Sequence, residues 1–75
     1  MKKYWTGSTV GSHDDFGAPI NDKFVDGKTT RGPWGKMAYP YPHCVYGVGL
    51  GLGKGQLYEK QPDGKWLLIE GGSNV

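Results

Sequence analysis

The side chains able to do chemistry in this chain are two histidines, one cysteine and scattered carboxylates. His43 and Cys44 are adjacent, and neighbours on an extended chain point to opposite faces, which spoils a Cys–His nucleophile–base pair. A closed structural zinc site needs four ligands, usually in closely spaced pairs, whereas His13, His43 and Cys44 supply three in no finger spacing. His13-Asp14-Asp15 reads either as a metal corner or as an Asx-type turn carrying a solvated histidine. Tyr39, Tyr41 and Tyr46 beside His43 and Cys44 either line a ligand site or pack on the core with their hydroxyls to solvent. These patterns argue against an enzyme, and no metal and no cofactor is expected.

The other feature with chemical potential is the run Gly47 to Gln56, where glycine takes positions 47, 49, 51, 53 and 55. A phosphate loop fails there: counting back from Gly53-Lys54 lands on Val48, and Gly55 stands where a hydroxyl would meet magnesium. The dinucleotide fingerprint fails as well, since starting at Gly47 or Gly49 the sixth place is Leu52 or Lys54. If extended, the run has one face of bare backbone and another of Val48, Leu50, Leu52 and Lys54. Five glycines are costly to order, so the segment is either a mobile loop or a strip ordered by contact with the domain or a partner.

The elements that must position these groups are small. Seventy-five residues make one domain, 1–75, near the lower limit for an unaided core. Fourteen glycines and five prolines interrupt the chain too often for long helices. A net charge of +2 is too weak and interspersed to announce a nucleic-acid ligand and suits a protein partner at least as well. With one cysteine no internal disulfide forms, and a reducing compartment is expected. No apolar run is long enough for a bilayer, and Met-Lys-Lys-Tyr-Trp lacks the apolar region of a signal peptide.

Residues 1–21 read as a partly irregular N-terminal arm, with Tyr4 and Trp5 either pinned to the core or left as a sticky arm. Lys23-Phe24-Val25, Asp26-Gly27 and Lys28-Thr29-Thr30 read as strand, type I′ turn and strand. Gly32-Pro33-Trp34-Gly35 then breaks the strand, with Trp34 as a core plug at the bend. Prolines 40 and 42 hold Tyr39 and Tyr41 extended, with a brief helical turn after Pro42. A second hairpin joins residues 57–61 and 65–69 through Pro62-Asp63-Gly64. Both faces of its second strand are apolar, which predicts a central strand, and residues 71–75 form a frayed tail. The fold expected is mainly β: two β-hairpins in a small twisted sheet or open barrel, joined by a Pro/Gly-rich connection.

The run from Phe24 to Thr29, then Gly32-Pro33-Trp34 and Met37, then Tyr46 to Gly51 with Gly53-Lys54-Gly55-Gln56, Tyr58 and Asp63 to Leu67, resembles a group of small zinc-ribbon-like proteins encoded by phages. The resemblance covers roughly residues 22–71. In many members cysteine pairs precede the first hairpin and follow the Gly-Pro-Trp segment, forming a metal knuckle. Here Ala38, Tyr39, Pro40 and Tyr41 stand where the second pair falls, and His13-Asp14-Asp15 is the nearest remnant of the first. The departure implies that packing by Trp34, Tyr39 and Tyr41 replaces the metal.

What the resemblance implies is a monomeric binding module in the host bacterial cytoplasm. Its partner would be the N-terminus of the β′ subunit of host RNA polymerase, with inhibition of host promoter use and antitermination as the outcome. Capture of such a segment by β-addition or in an aromatic-walled groove suits the residues present. Residue type and bareness select Tyr4, Trp5, Tyr39, Tyr41, Val48, Leu50 and Lys54 as contacts, with Asp14 and Asp15 as charge partners. The alternative is a nucleic-acid-binding module in which Lys28, Arg31, Lys36, Lys54, Lys60 and Lys65 meet phosphates and exposed aromatics stack on bases. A third reading is an accessory phage protein with no polymerase contact.

Overall fold

The computed structural model describes residues 2–7 and 9–72. Four strands, β1 (Lys23–Lys28), β2 (Trp34–Ala38), β3 (Gly55–Lys60) and β4 (Trp66–Glu70), form one open antiparallel sheet in the order β2-β1-β3-β4. A four-residue helix, α1 (His43–Tyr46), follows Pro42 and precedes the glycine run. The mainly β architecture and the brief helical turn after Pro42 agree with the sequence reading, and Cys44 is free.

The first hairpin turns later than its sequence suggests. Asp26 and Gly27 lie inside β1, and the chain reverses at Thr30-Arg31-Gly32, where Gly32 takes φ 107°. The Thr29 amide (3.0 Å) and hydroxyl (2.8 Å) both donate to the Pro33 carbonyl across that turn. Gly27 is needed in the strand because it sits between Gly35 on β2 and Gly55 on β3, making a row of glycines across three strands. A Cβ on Gly27 would lie 2.7 Å from the Lys54 carbonyl and 2.8 Å from the Gly55 Cα. The row thus admits backbone where side chains would stand.

Trp34 opens β2 instead of breaking a strand, and it is no core plug. It is 48% exposed, with its indole N–H donating to the Asp26 carboxylate at 2.9 Å. The second hairpin forms as expected, closed by Gln61 to the Lys65 carbonyl (2.7 Å) and by Gly64 at φ 87°. Its second strand, β4, is at the edge, not the centre. Its apolar outer side is supplied with a neighbour by the arm: Tyr4 bridges Leu67, the Trp5 amide donates to the Trp66 carbonyl (2.9 Å), and Leu68 donates to the Lys3 carbonyl (2.8 Å).

The arm also fastens the opposite edge. Asp14 is buried; one carboxylate oxygen accepts from the Phe16 and Ala18 amides (2.9 and 2.8 Å), and the other from the Ala38 amide of β2 (2.7 Å). The Asp15 carboxylate accepts from the Lys36 amide (2.8 Å), and its own amide donates to the Lys36 carbonyl (3.1 Å). Residues 3–5 and residues 14–15 of the arm therefore lie on opposite rims of the sheet.

The core has two parts. On one face Phe24 is enclosed by Trp5, Tyr58 and Trp66, with ring centroids 5.0 to 5.4 Å apart, Tyr58 stacked and the two indoles edge-on. Alternation along the strands sends Val25, Met37 and Leu57, all buried, to the other face. Residues 73–75 of the expected tail fall outside the described residues. Gly71 is fastened, its carbonyl accepting from the Gln56 amide group at 3.2 Å.

Candidate functional site

Two surfaces present aromatic and apolar side chains that the fold leaves partly or fully exposed. The first is an open basin of about 800 Å³ between the arm and the second hairpin. Tyr4, Trp5 and Trp66 line it together with Lys60 and Lys65, and the arm contributes backbone at Gly7 and Gly11. Edge pairing to β4 fixes Tyr4, and the Lys65 ammonium stands 5.7 Å from the centre of the Tyr4 ring, within cation–π range. Trp5 is half-buried, edge-on to Phe24 and Tyr58 (both 5.4 Å), so one part of its indole belongs to the core and another borders the basin. Beneath it the Tyr58 phenol has its pKa raised, first by burial and then by the nearby Asp26 carboxylate.

The second surface follows α1 into the glycine run. Tyr41 (61% exposed), Val45, Val48 and Leu52 (68% exposed) are all exposed along this one stretch. The frame under them is built by His43, which is buried; its Nε2 lies 3.3 Å from the Gly49 carbonyl, and a Cβ on Gly47 would collide with its imidazole. Gly47 bridges Thr29, the Val48 amide donates to Lys28 (3.2 Å), and Gly51 exchanges hydrogen bonds with Gly55 (2.9 and 3.0 Å). Of the two expected states, the run is the one ordered by contact with the domain, though not as an extended ribbon. Gly49, Gly51 and Gly53 adopt φ of 128°, 134° and 75°, which folds the segment back and puts Leu52 at its tip.

The sequence-selected contacts divide between these surfaces and the scaffold. Tyr4 and Trp5 border the basin, while Tyr41 and Val48 belong to the second surface. Tyr39 is half-buried and tilts against His43 at 5.7 Å, Leu50 is half-buried, and Lys54 is exposed with its backbone carbonyl holding the Lys28 amide (2.7 Å). Asp14 and Asp15 are not brought to either surface; their carboxylates fasten the β2 rim. Of the six cations chosen for phosphates, only Lys60 and Lys65 share the basin. Val45, Leu52 and Trp66 were missed. The adjacency of Trp66 to Lys65 across the hairpin turn from Lys60 was the available signal.

His13 is exposed and bridges Pro19, with Ser12 Oγ 2.9 Å from its Nδ1, so the turn reading of His13-Asp14-Asp15 describes the geometry. Among the described residues no three His, Cys, Asp or Glu side chains converge as a group that could hold a metal ion. No helix among them is long and apolar enough to cross a membrane. No protein-family model matches the chain, and searches of curated proteins and of solved structures return no match.

Proposed function

We propose that this chain is a non-catalytic regulator of transcription. It binds bacterial RNA polymerase at the N-terminus of the β′ subunit, inhibits host promoter use and promotes antitermination. The partner follows from the resemblance to small phage proteins over roughly residues 22–71. The observation that carries a binding role is the exposed apolar stretch Tyr41, Val45, Val48 and Leu52, held on a frame of buried His43 and backbone hydrogen bonds. Exposed apolar side chains within one short segment suit an interaction surface, with aromatic residues as anchors. Strand addition is the less suitable mode, because the arm already occupies hydrogen-bonding positions on both outer strands. Docking is therefore through side chains of the α1–β3 segment.

The test is retention of purified polymerase by the tagged protein at moderate salt, with a β′ N-terminal peptide as competitor. Retention that the peptide displaces supports the reading, and failure to retain the enzyme removes it. Leu52→Asp, at an exposed loop tip, is expected to abolish retention while leaving the thermal melt unchanged. Full retention by that folded variant would take the glycine loop out of the interface.

A further inference from the structure

The basin between the arm and the second hairpin differs from the rest of the surface in charge. The chain has seven Asp and Glu, yet among the described residues lining the basin are Lys60 and Lys65 and no carboxylate. Lys2 and Lys3, both exposed, immediately precede Tyr4 in the chain. Three aromatic rings, Tyr4, Trp5 and Trp66, line the same space, and Asn21 adds an amide able to donate and accept hydrogen bonds. Its volume of about 800 Å³ lies within the range of small-molecule and cofactor sites. Flat π surfaces beside ammonium groups match a planar base joined to a phosphate; the nearby Asp63 carboxylate, in the turn between the two lysines, is held by the Lys65 amide at 2.9 Å. An acidic peptide without aromatic side chains would satisfy the lysines and leave the rings without a stacking partner.

We propose that this basin binds single-stranded nucleic acid, with a base against the exposed Tyr4 ring and the flanking phosphates at Lys60 and Lys65. A duplex does not meet these requirements, because stacking needs a base whose face is open. None of these residues belongs to the apolar stretch assigned to polymerase, so the two readings fail independently.

Fluorescence anisotropy of the full chain with a labelled single-stranded oligothymidine tests the assignment. Saturable binding is expected at low ionic strength. Two phosphate contacts give a slope of about −1.4 in log affinity against log salt, from about 0.7 per contact on a single strand. Tyr4→Ala is expected to weaken binding about tenfold and Tyr4→Phe to retain it, as stacking on an aromatic face predicts. Lys60→Ala combined with Lys65→Ala should bring the salt slope close to zero. The strand pairing of Tyr4 is made by backbone and both lysines are exposed, so thermal melts of these variants are expected to match the parent. Absence of saturable binding, equal affinity for a duplex of the same length, or unchanged affinity in folded Tyr4→Ala would overturn the proposal.

Discussion

Asp14 shows how one side chain can settle a local structure. It is 7% exposed and satisfies three backbone amides, two within its own turn and one on β2. Asp14→Ala removes three charge-assisted bonds and leaves buried donors, so a loss of about 3 kcal/mol is expected from denaturant unfolding, with Asp14→Asn intermediate. Asp26 behaves in the opposite sense. Burial raises its pKa above the ordinary 3.8, against the lowering effects of the Trp34 indole and Lys36. A carboxyl that is easier to protonate folded than unfolded supports stability below its ordinary value. That support is lost as pH rises through the raised folded value and is absent at neutral pH. Asp26→Asn keeps an acceptor for the indole, so it should equal or exceed the parent in stability at neutral pH and lose this pH dependence; a clear parental advantage there would contradict the assignment. Sequence showed that His13-Asp14-Asp15 suits a turn. It could not show the reach to Ala38, twenty-four positions away, because local pattern holds no record of distant amides.

At the level of elements, the second hairpin was legible because Pro62-Asp63-Gly64 presets its turn and alternation continues on both sides. Asp26-Gly27 offered the same signal in the first and was overridden by tertiary packing: Gly27 is required between Gly35 and Gly55, and Gly32 is free to make the turn. One glycine in each of three strands was visible in the sequence, but their alignment depends on register. The glycine run misled in a related way, since alternation implies an extended strip only if φ stays negative. Gly47, by contrast, has ordinary extended backbone (φ −87°, ψ 153°) and is glycine because His43 fills the space of a side chain. Gly47→Ala is expected to cost about 1–3 kcal/mol by overpacking. Combining it with His43→Ala should cost less than the sum of the two, and strict additivity in a double-mutant cycle would deny the contact.

For the whole molecule, the decisive feature is that the arm, through residues 3–5 and 14–15, occupies both rims of the sheet. Exposed rims template association with other chains, and covering them protects a small β protein. Deleting residues 2–7 uncovers the Trp66 carbonyl and the Leu68 amide of β4 and strips Trp5 from the Phe24 cluster. Light scattering should then reveal more concentration-dependent association than the intact chain shows; a truncated protein that associates no more than the parent would show the cover to be dispensable. The sequence left Tyr4 and Trp5 either pinned to the core or free as a sticky arm, and the structure pins them; where they are pinned was not legible, because an apolar pattern on β4 does not say whether a strand or an arm lies beside it.

The bridge between Tyr4 and Leu67 joins positions separated by most of the polypeptide, so it also bears on how the protein reaches its native state. Closing so long a loop is entropically unfavourable and is rewarded only once the intervening sheet has shortened the distance. Such remote pairing raises the contact order, which favours slower folding than that of local helical topologies. A segment that stands early in the sequence is thus among the last to find its place.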